Sequence, residues 1–260
     1  MAEDSILYDV SDGVAVVRLN RPDALNAVNA EMTEGLLTAV RRAERDNDVS
    51  SVVLLGSGRA FCAGQDLKEP RTAAHLDARV SDAVRDNLLR RFENLPKPVV
   101  AGLHGYALGR GLMLALACDV RIAAADAMMS LPETQIGMIP GDGATYRLVR
   151  LIGPGRAAHM VLTGEKINAA QAEAWGLVTQ VVERDALETI ALGLARRMGR
   201  NAPLALAFAK TAIGRASGMG GLQEATEYET LINESLQTTA DWQEGIAAFR
   251  EKREPRFQGH

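Results

Sequence analysis

Val99-Val100-Ala101-Gly102-Leu103, followed by Gly105-Tyr106-Ala107-Leu108-Gly109-Arg110-Gly111, the apolar run Leu112 to Ala117, and Asp119-Val120-Arg121-Ile122-Ala123 decide the fold class of this 260-residue chain. The first block is short and apolar throughout, the pattern of a strand covered on both faces. Glycines then break it, a helix opens directly behind them, and a second strand follows. Strand, crossover and strand in that order predict α/β architecture with mostly parallel pairing.

Upstream, the same text recurs. Ile6 to Val10 and Val14 to Leu19 flank Asp12-Gly13, a hairpin signal. Pro22 then ends the strand, because it removes a donor and pushes Arg21 toward extended geometry. Met32, Leu36, Leu37, Val40 and Ala43 share one helical face, with Asn29 as the expected cap. Ser51-Val52-Val53-Leu54-Leu55 reads as another doubly covered strand and leads into a glycine-containing loop, Gly56 to Asp66. A charged helical stretch is expected roughly over 74–94. From about residue 143 the text is mostly helical. Leu187, Ile190, Ala191, Leu194 and Met198 make one apolar face, and Pro203 suits the opening turn of a helix.

Composition sets the function classes aside. A chain 47% hydrophobic and 24% charged is neither disordered nor too small for a core. The net charge of −4 argues against a nucleic-acid partner, and no apolar run reaches the ~18 residues of a bilayer span. Two cysteines, Cys62 and Cys118, in apolar surroundings suit a reducing compartment, so the expected location is the cytoplasm. The four histidines are dispersed and no His/Cys spacing suits a metal. There is no G-x-S-x-G nucleophile elbow. Gly153-Pro154-Gly155-Arg156-Ala157-Ala158 has the G-x-G-x-x-A form of a dinucleotide site but follows helical text, and reads as an interhelical turn.

Two glycine loops remain, each behind a buried strand. Phe61-Cys62-Ala63-Gly64-Gln65-Asp66-Leu67 is the first, and Leu108-Gly109-Arg110-Gly111, opening a helix, is the second. Backbone N–H groups from two such loops, converging on one oxygen, would form an oxyanion hole, each donor worth ~3 kcal/mol of transition-state stabilisation. Taken singly, each loop also reads as an ordinary strand-to-helix turn.

Taken in order, further blocks carry a resemblance. Asn20-Arg21-Pro22 with Leu25-Asn26-Ala27, the two glycine loops with Lys68, Cys118-Asp119, Pro132-Glu133-Thr134-Gln135-Ile136-Gly137 through Gly141, Leu162-Thr163-Gly164, Ala172 to Val178 and Glu244 to Phe249 resemble the enoyl-CoA hydratase/isomerase (crotonase) family over nearly the whole chain. The resemblance implies a crotonase-like spiral of ββα units, here 1–195, and a C-terminal helical trimerisation region, 196–260. It implies an acyl-CoA thioester substrate, with coenzyme A as part of that substrate and no separate cofactor, and self-association into trimers or hexamers.

The resemblance also assigns residues. The N–H groups of Gln65 and Arg110 are the implied oxyanion donors, flanked by Ala63, Asp66, Leu67 and Gly109. Arg21, Ala24, Leu25 and Lys68 fall where the family meets coenzyme A. Phe249 and Lys252 match C-terminal positions that reach it, in some members from a neighbouring subunit. Lys68 and Lys252 read equally as solvated lysines. Of the two glutamates that hold water in the family's hydratases, the second matches Glu133, whereas Met113 stands at the first.

Methionine neither orients nor deprotonates water, so Met113 is expected to line the acyl pocket. The remaining carboxylate suffices for a 1,3-proton shuttle, and the expected reaction is conversion of a 3-enoyl-CoA to a 2-enoyl-CoA by Glu133. Hydration with an atypical second group, and non-catalytic acyl-CoA binding, are the alternatives. Asp142 lies one residue after the position, here Gly141, at which some family isomerases carry a catalytic aspartate. On that ground Asp142 is a candidate catalytic carboxylate, and the second group a hydratase would need, while as Asp before Gly143-Ala144-Thr145 it reads more strongly as a helix cap.

Overall fold

The structure, a computed structural model, describes residues 4–69, 87–216, 218 and 221–260. Ile6–Ser11 (β1) and Val14–Leu19 (β2) form the expected hairpin, with Ser11 opposite Val14 and both turn residues at positive φ, Asp12 at 51° and Gly13 at 77°. A two-residue loop with that backbone twists as the strands do. β2 then pairs in parallel with Ser51–Gly56 (β3), β3 with Val99–Leu103 (β4), β4 with Val120–Ala124 (β6), and β6 with Gln180–Val182 (β9). The six-stranded sheet therefore runs β1-β2-β3-β4-β6-β9, parallel apart from its first pair.

Both faces are covered, so β3 and β4 are buried at every position. Ala30–Arg45 (α1) packs on β1 and β2 with Met32, Leu36, Val40 and Ala43 buried, and Asn29 Oδ1 accepts from Met32 N–H at 2.9 Å as its cap. On the opposite face the helix Leu187–Gly199 lies across β3 and β4 through Leu187, Ala191 and Ala195. Of the charged stretch expected over 74–94, only the end is described. Leu88–Asn94 (α2) is helical and capped by Asn87, and the preceding part lies outside the described residues.

A second, smaller sheet was not legible in the sequence. Tyr106–Leu108 (β5), which reads as part of a glycine loop, pairs in parallel with Met128–Ser130 (β7), and β7 pairs antiparallel with Ile167–Asn168 (β8). Strands of two or three residues carry too little periodicity to register. Between β5 and β6 lies Arg110–Leu116 (α3), which begins two residues earlier than its apolar run. Among the described residues the further α-helices are Ala144–Thr163 (α4), Ala169–Trp175 (α5), Leu187–Gly199 (α6), Pro203–Ala216 (α7), Leu222–Leu236 (α8) and Ala240–Glu251 (α9). Gly153, at φ 79° and ψ 162°, breaks α4, so the 153–158 glycines make a kink between helical segments and no dinucleotide turn. Among the described residues no helix is long and apolar enough to cross a membrane.

Candidate active site

Parallel pairing places the site. Leu108 at the end of β5 is registered with Ser130 at the end of β7, so both chains leave the small sheet side by side. On the other side of β5, Cys62 bridges Ala107, with Leu108 N–H donating to Cys62 O at 3.0 Å. Three segments therefore emerge together: the first glycine loop, the second glycine loop, and the turn Pro132–Ile136 that carries Glu133. Gly109 N–H donates to Ser130 O at 2.9 Å and closes the gap between the last two.

The glycines are required by this convergence. Gly109 has φ 50° and ψ −121°, and a Cβ there would lie 2.7 Å from Glu133 Oε1 and 4.0 Å from Gly64 Cα. A Cβ on Gly64, at φ 114°, would lie 3.1 Å from Leu108 O and 3.9 Å from Arg110 N. The two loops thus touch, with the Glu133 carboxylate against their junction. Glu133 is half-buried, and its Oε2 has no hydrogen-bond partner among the described residues. Burial pushes its carboxyl pKa up, against a smaller lowering by its own backbone N–H.

Each loop is held by a framework. Ala63 N–H donates to Leu25 O and Asp66 N–H to Val28 O, both at 2.9 Å, on either side of Gln65. Gln65 turns its side-chain amide back onto Val28 O at 2.8 Å. The Asp66 carboxylate accepts from Lys68 N–H at 3.1 Å and from the Arg21 guanidinium at 3.0 Å, which together hold its pKa below the usual carboxylate range. Arg110 is the first residue of α3, so its N–H precedes the helix's own ladder. The far end of α3 is satisfied by buried Arg121, which donates to Ala115 O at 3.1 Å and Cys118 O at 2.8 Å. Arg121 and the fully buried Asn26, which binds Ser57 O and Ala60 O and accepts from Arg21 N–H, are framework residues that sequence reading missed as such. An arginine inside an apolar strand was the available signal for the first.

The structure thus brings together Glu133, Ala63, Gln65, Asp66, Gly109 and Arg110, with Arg21, Ala24 and Leu25 alongside through the turn Pro22–Ala24. Leu67 and Lys68 follow the first loop and are exposed. Met113 is 5% exposed and packs in the main core one helical turn beyond Gly109, whose carbonyl accepts its N–H. Gly141 is exposed beside the site. Phe249, 85% exposed, and Lys252, the cap of α9, stand at the end of the C-terminal helix.

The capping role expected of Asp142 is overturned. The residue at the head of α4 is Gly143, with no side-chain cap bond, and Asp142 itself sits at φ 55°. In that left-handed geometry its carboxylate turns away from the helix and meets Asn87 Nδ2 at 2.8 Å and Arg110 Nη1 at 3.5 Å. Among the described residues no group of His, Cys, Asp or Glu side chains is arranged to hold a metal ion.

The chain is similar to known proteins over nearly its whole length. The sequence model of the family described as enoyl-CoA hydratase/isomerase matches residues 9–260. The chain belongs to the enoyl-CoA hydratase/isomerase family. It is 42% identical to the 2,3-dehydroadipyl-CoA hydratase of Escherichia coli K12, over 95% of each chain. It is 35% identical to the short-chain-enoyl-CoA hydratase of Clostridium acetobutylicum, over 97% of each. The crystal structure of enoyl-CoA hydratase from Bacillus anthracis superposes with a TM-score of 0.92 at 37% identity, covering 98% of this chain and 100% of that one. The protein is an enzyme of this family, and its spiral with C-terminal helices is the crotonase fold.

Proposed function

We propose that this enzyme binds an acyl-CoA thioester with the carbonyl oxygen between the N–H groups of Gln65 and Arg110, and that Glu133 shuttles a proton along the acyl chain. The Glu133 carboxylate takes a proton from C2 of a 3-enoyl-CoA, and the electron pair delocalises onto the thioester oxygen as a dienolate. The resulting carboxylic acid returns a proton at C4, leaving the double bond between C2 and C3. One observation carries this reading: Glu133 stands at the loop junction with a raised pKa, while the position one turn into α3 holds the buried thioether of Met113. A base whose pKa is lifted by burial is better matched to a carbon acid.

The same proposal divides the chain at residue 195 into the spiral core and the helical region. It gives coenzyme A to Arg21, Ala24, Leu25 and Lys68, with Phe249 and Lys252 reaching it from a neighbouring copy in a homotrimer or hexamer. The Arg21 guanidinium is committed to Asp66 and Ala27 O, so its service to coenzyme A is through the backbone turn it holds. Two buried free thiols suit a cytoplasmic setting. A second reading, hydration of a 2-enoyl-CoA, is favoured by the activities in the relatives' names.

Purified protein given a 3-enoyl-CoA and, separately, a 2-enoyl-CoA separates them. Formation of 2-enoyl-CoA without 3-hydroxyacyl-CoA is expected. Rapid 3-hydroxyacyl-CoA formation from the 2-enoyl substrate gives the second reading instead.

A further inference from the structure

The Arg110 N–H lies in the 109–110 peptide plane, which Gly109 N–H on Ser130 O and Met113 N–H on Gly109 O, both at 2.9 Å, hold from the backbone side; the rest of its placement is set by what holds Arg110 from beyond Gly109. On one side that is helix α3. On the other it is Asp142, and Asp142 is itself held from two directions. Arg147 Nη1 donates to the Asp142 carbonyl at 2.6 Å, and Arg147 is clamped by Glu93 on α2 at 2.6 Å. Asn87 Nδ2 donates to Asp142 Oδ1 at 2.8 Å, and the Asn87 amide cannot turn because its Oδ1 accepts from Leu89 N–H at 2.8 Å. The second oxygen, Oδ2, faces Arg110 Nη1 at 3.5 Å, with the two side chains only 22% and 14% exposed. A non-glycine residue at φ 55° is held in a costly conformation, which persists where its surroundings over-determine it.

We infer that Asp142 is a positioning residue that acts through the Arg110 side chain, aligning the Arg110 N–H with the thioester oxygen. With Asn87 and Arg147 it ties the 140–143 loop and α2 to the start of α3. The inference rests on the acyl-CoA reading of the site. It separates the two carboxylates by task, Glu133 moving the proton and Asp142, with both oxygens engaged, fixing a donor.

The test uses two readouts on the full chain: steady-state kinetics, and the red shift of the absorption of a bound acyl-CoA whose α,β-unsaturated thioester is conjugated to an aromatic ring. That shift reports polarisation of the carbonyl without requiring turnover. Asp142→Ala and Arg110→Ala, the latter keeping its N–H, are each expected to lower kcat about tenfold, as misplacement by a fraction of an ångström does. KM is expected to change less than about twofold, since the misplaced donor matters most in the transition state. Both variants should shrink the red shift. The double variant should be no worse than the poorer single one, because the two residues act as one unit. Asp142→Asn, which still offers an acceptor to Arg110, and Arg110→Lys, which keeps a cation, should recover most of the shift.

Wild-type shift and kcat in both alanine variants, with only the melting temperature lowered, overturn the inference, as do multiplicative losses in the double variant. Loss in Asp142→Asn equal to that in Asp142→Ala, with Arg110→Ala unaffected, overturns it by making Asp142 a base. A wild-type protein that neither turns over nor shifts any enoyl thioester removes the acyl-CoA reading and this inference together.

Discussion

Glu133 owes its chemistry to where its two oxygens lie. Oε1 occupies the space that a side chain on Gly109 would need, and Oε2 is buried without a partner among the described residues. Glu133→Gln keeps that shape and removes the proton acceptor. It is expected to lower kcat by about 10² to 10⁴, with thioester binding retained, as measured by turnover and by titration with a non-reacting acyl-CoA. In the wild type the raised pKa fixes the sign of the pH dependence. The proposed proton transfer needs the carboxylate, so kcat/KM is expected to fall as the pH drops through a value above the ordinary 4.5, and a pH–rate profile should place the acid limb there. Glu133 was legible because it stands in a block with a recognisable order of residues. Asp142 was misread at the same scale. Asp before Gly-Ala-Thr suits a cap by composition, but the left-handed backbone at Asp142 points its carboxylate at Arg110 and Asn87.

At the scale of elements, the site is the common exit of β5, β7 and the first glycine loop, and close backbone approach is its condition. Gly109→Ala puts a methyl 2.7 Å from Glu133 Oε1 at a φ of 50°. The carboxylate can retreat, being the end of a flexible side chain, whereas the backbone cannot change its sign of φ without moving α3. The expected outcome is a loss of kcat of tenfold or more, with about 1–3 kcal/mol of stability lost to the unfavourable backbone. Kinetics and urea unfolding on the same preparation check both parts. The long apolar strands and the Asn29-capped helix could be read from period and cap chemistry. The strands of two and three residues that build the small sheet could not, since pairing partners alone define them.

At the scale of the whole molecule, the C-terminal helices are tied to the sheet by Lys210, which reaches Asp119 Oδ2 at 2.8 Å and the carbonyls of Phe92 and Lys97. A cavity of about 280 Å³ lies among those helices, lined by residues including Leu204, Leu236, Trp242, Ile246 and Phe257, and none of its lining belongs to the loops around Glu133. Global stability carries a pH dependence from His104, which is 5% exposed at the end of β4. Burial, aided by the Arg184 charge, holds its pKa down to about 4 against an ordinary 6.5. The unfolded chain therefore binds the proton first. This contribution is fully present above pH 6.5, declines as the pH falls toward 4, and amounts to about 3 kcal/mol. Urea unfolding of the wild type at pH 7 and pH 4.5, against His104→Asn, should show the steeper loss in the wild type. Equal slopes would show that His104 is solvated.

The sequence by itself determined the parallel α/β plan, the hairpin at Asp12-Gly13, the glycine loops and the identity of the carboxylate among them. These depend on local periodicity, on φ signs that glycine permits, and on an ordered run of motif blocks. Only the tertiary structure decided that the small sheet exists, that Gly64, Gly109 and Glu133 meet, that Arg21 clamps Asp66, and that the Asp142 carboxylate faces Arg110 and Asn87 with Gly143 at the helix end. Each of those facts is a contact between residues distant in the chain, set by strand register and backbone handedness that no local window of sequence contains.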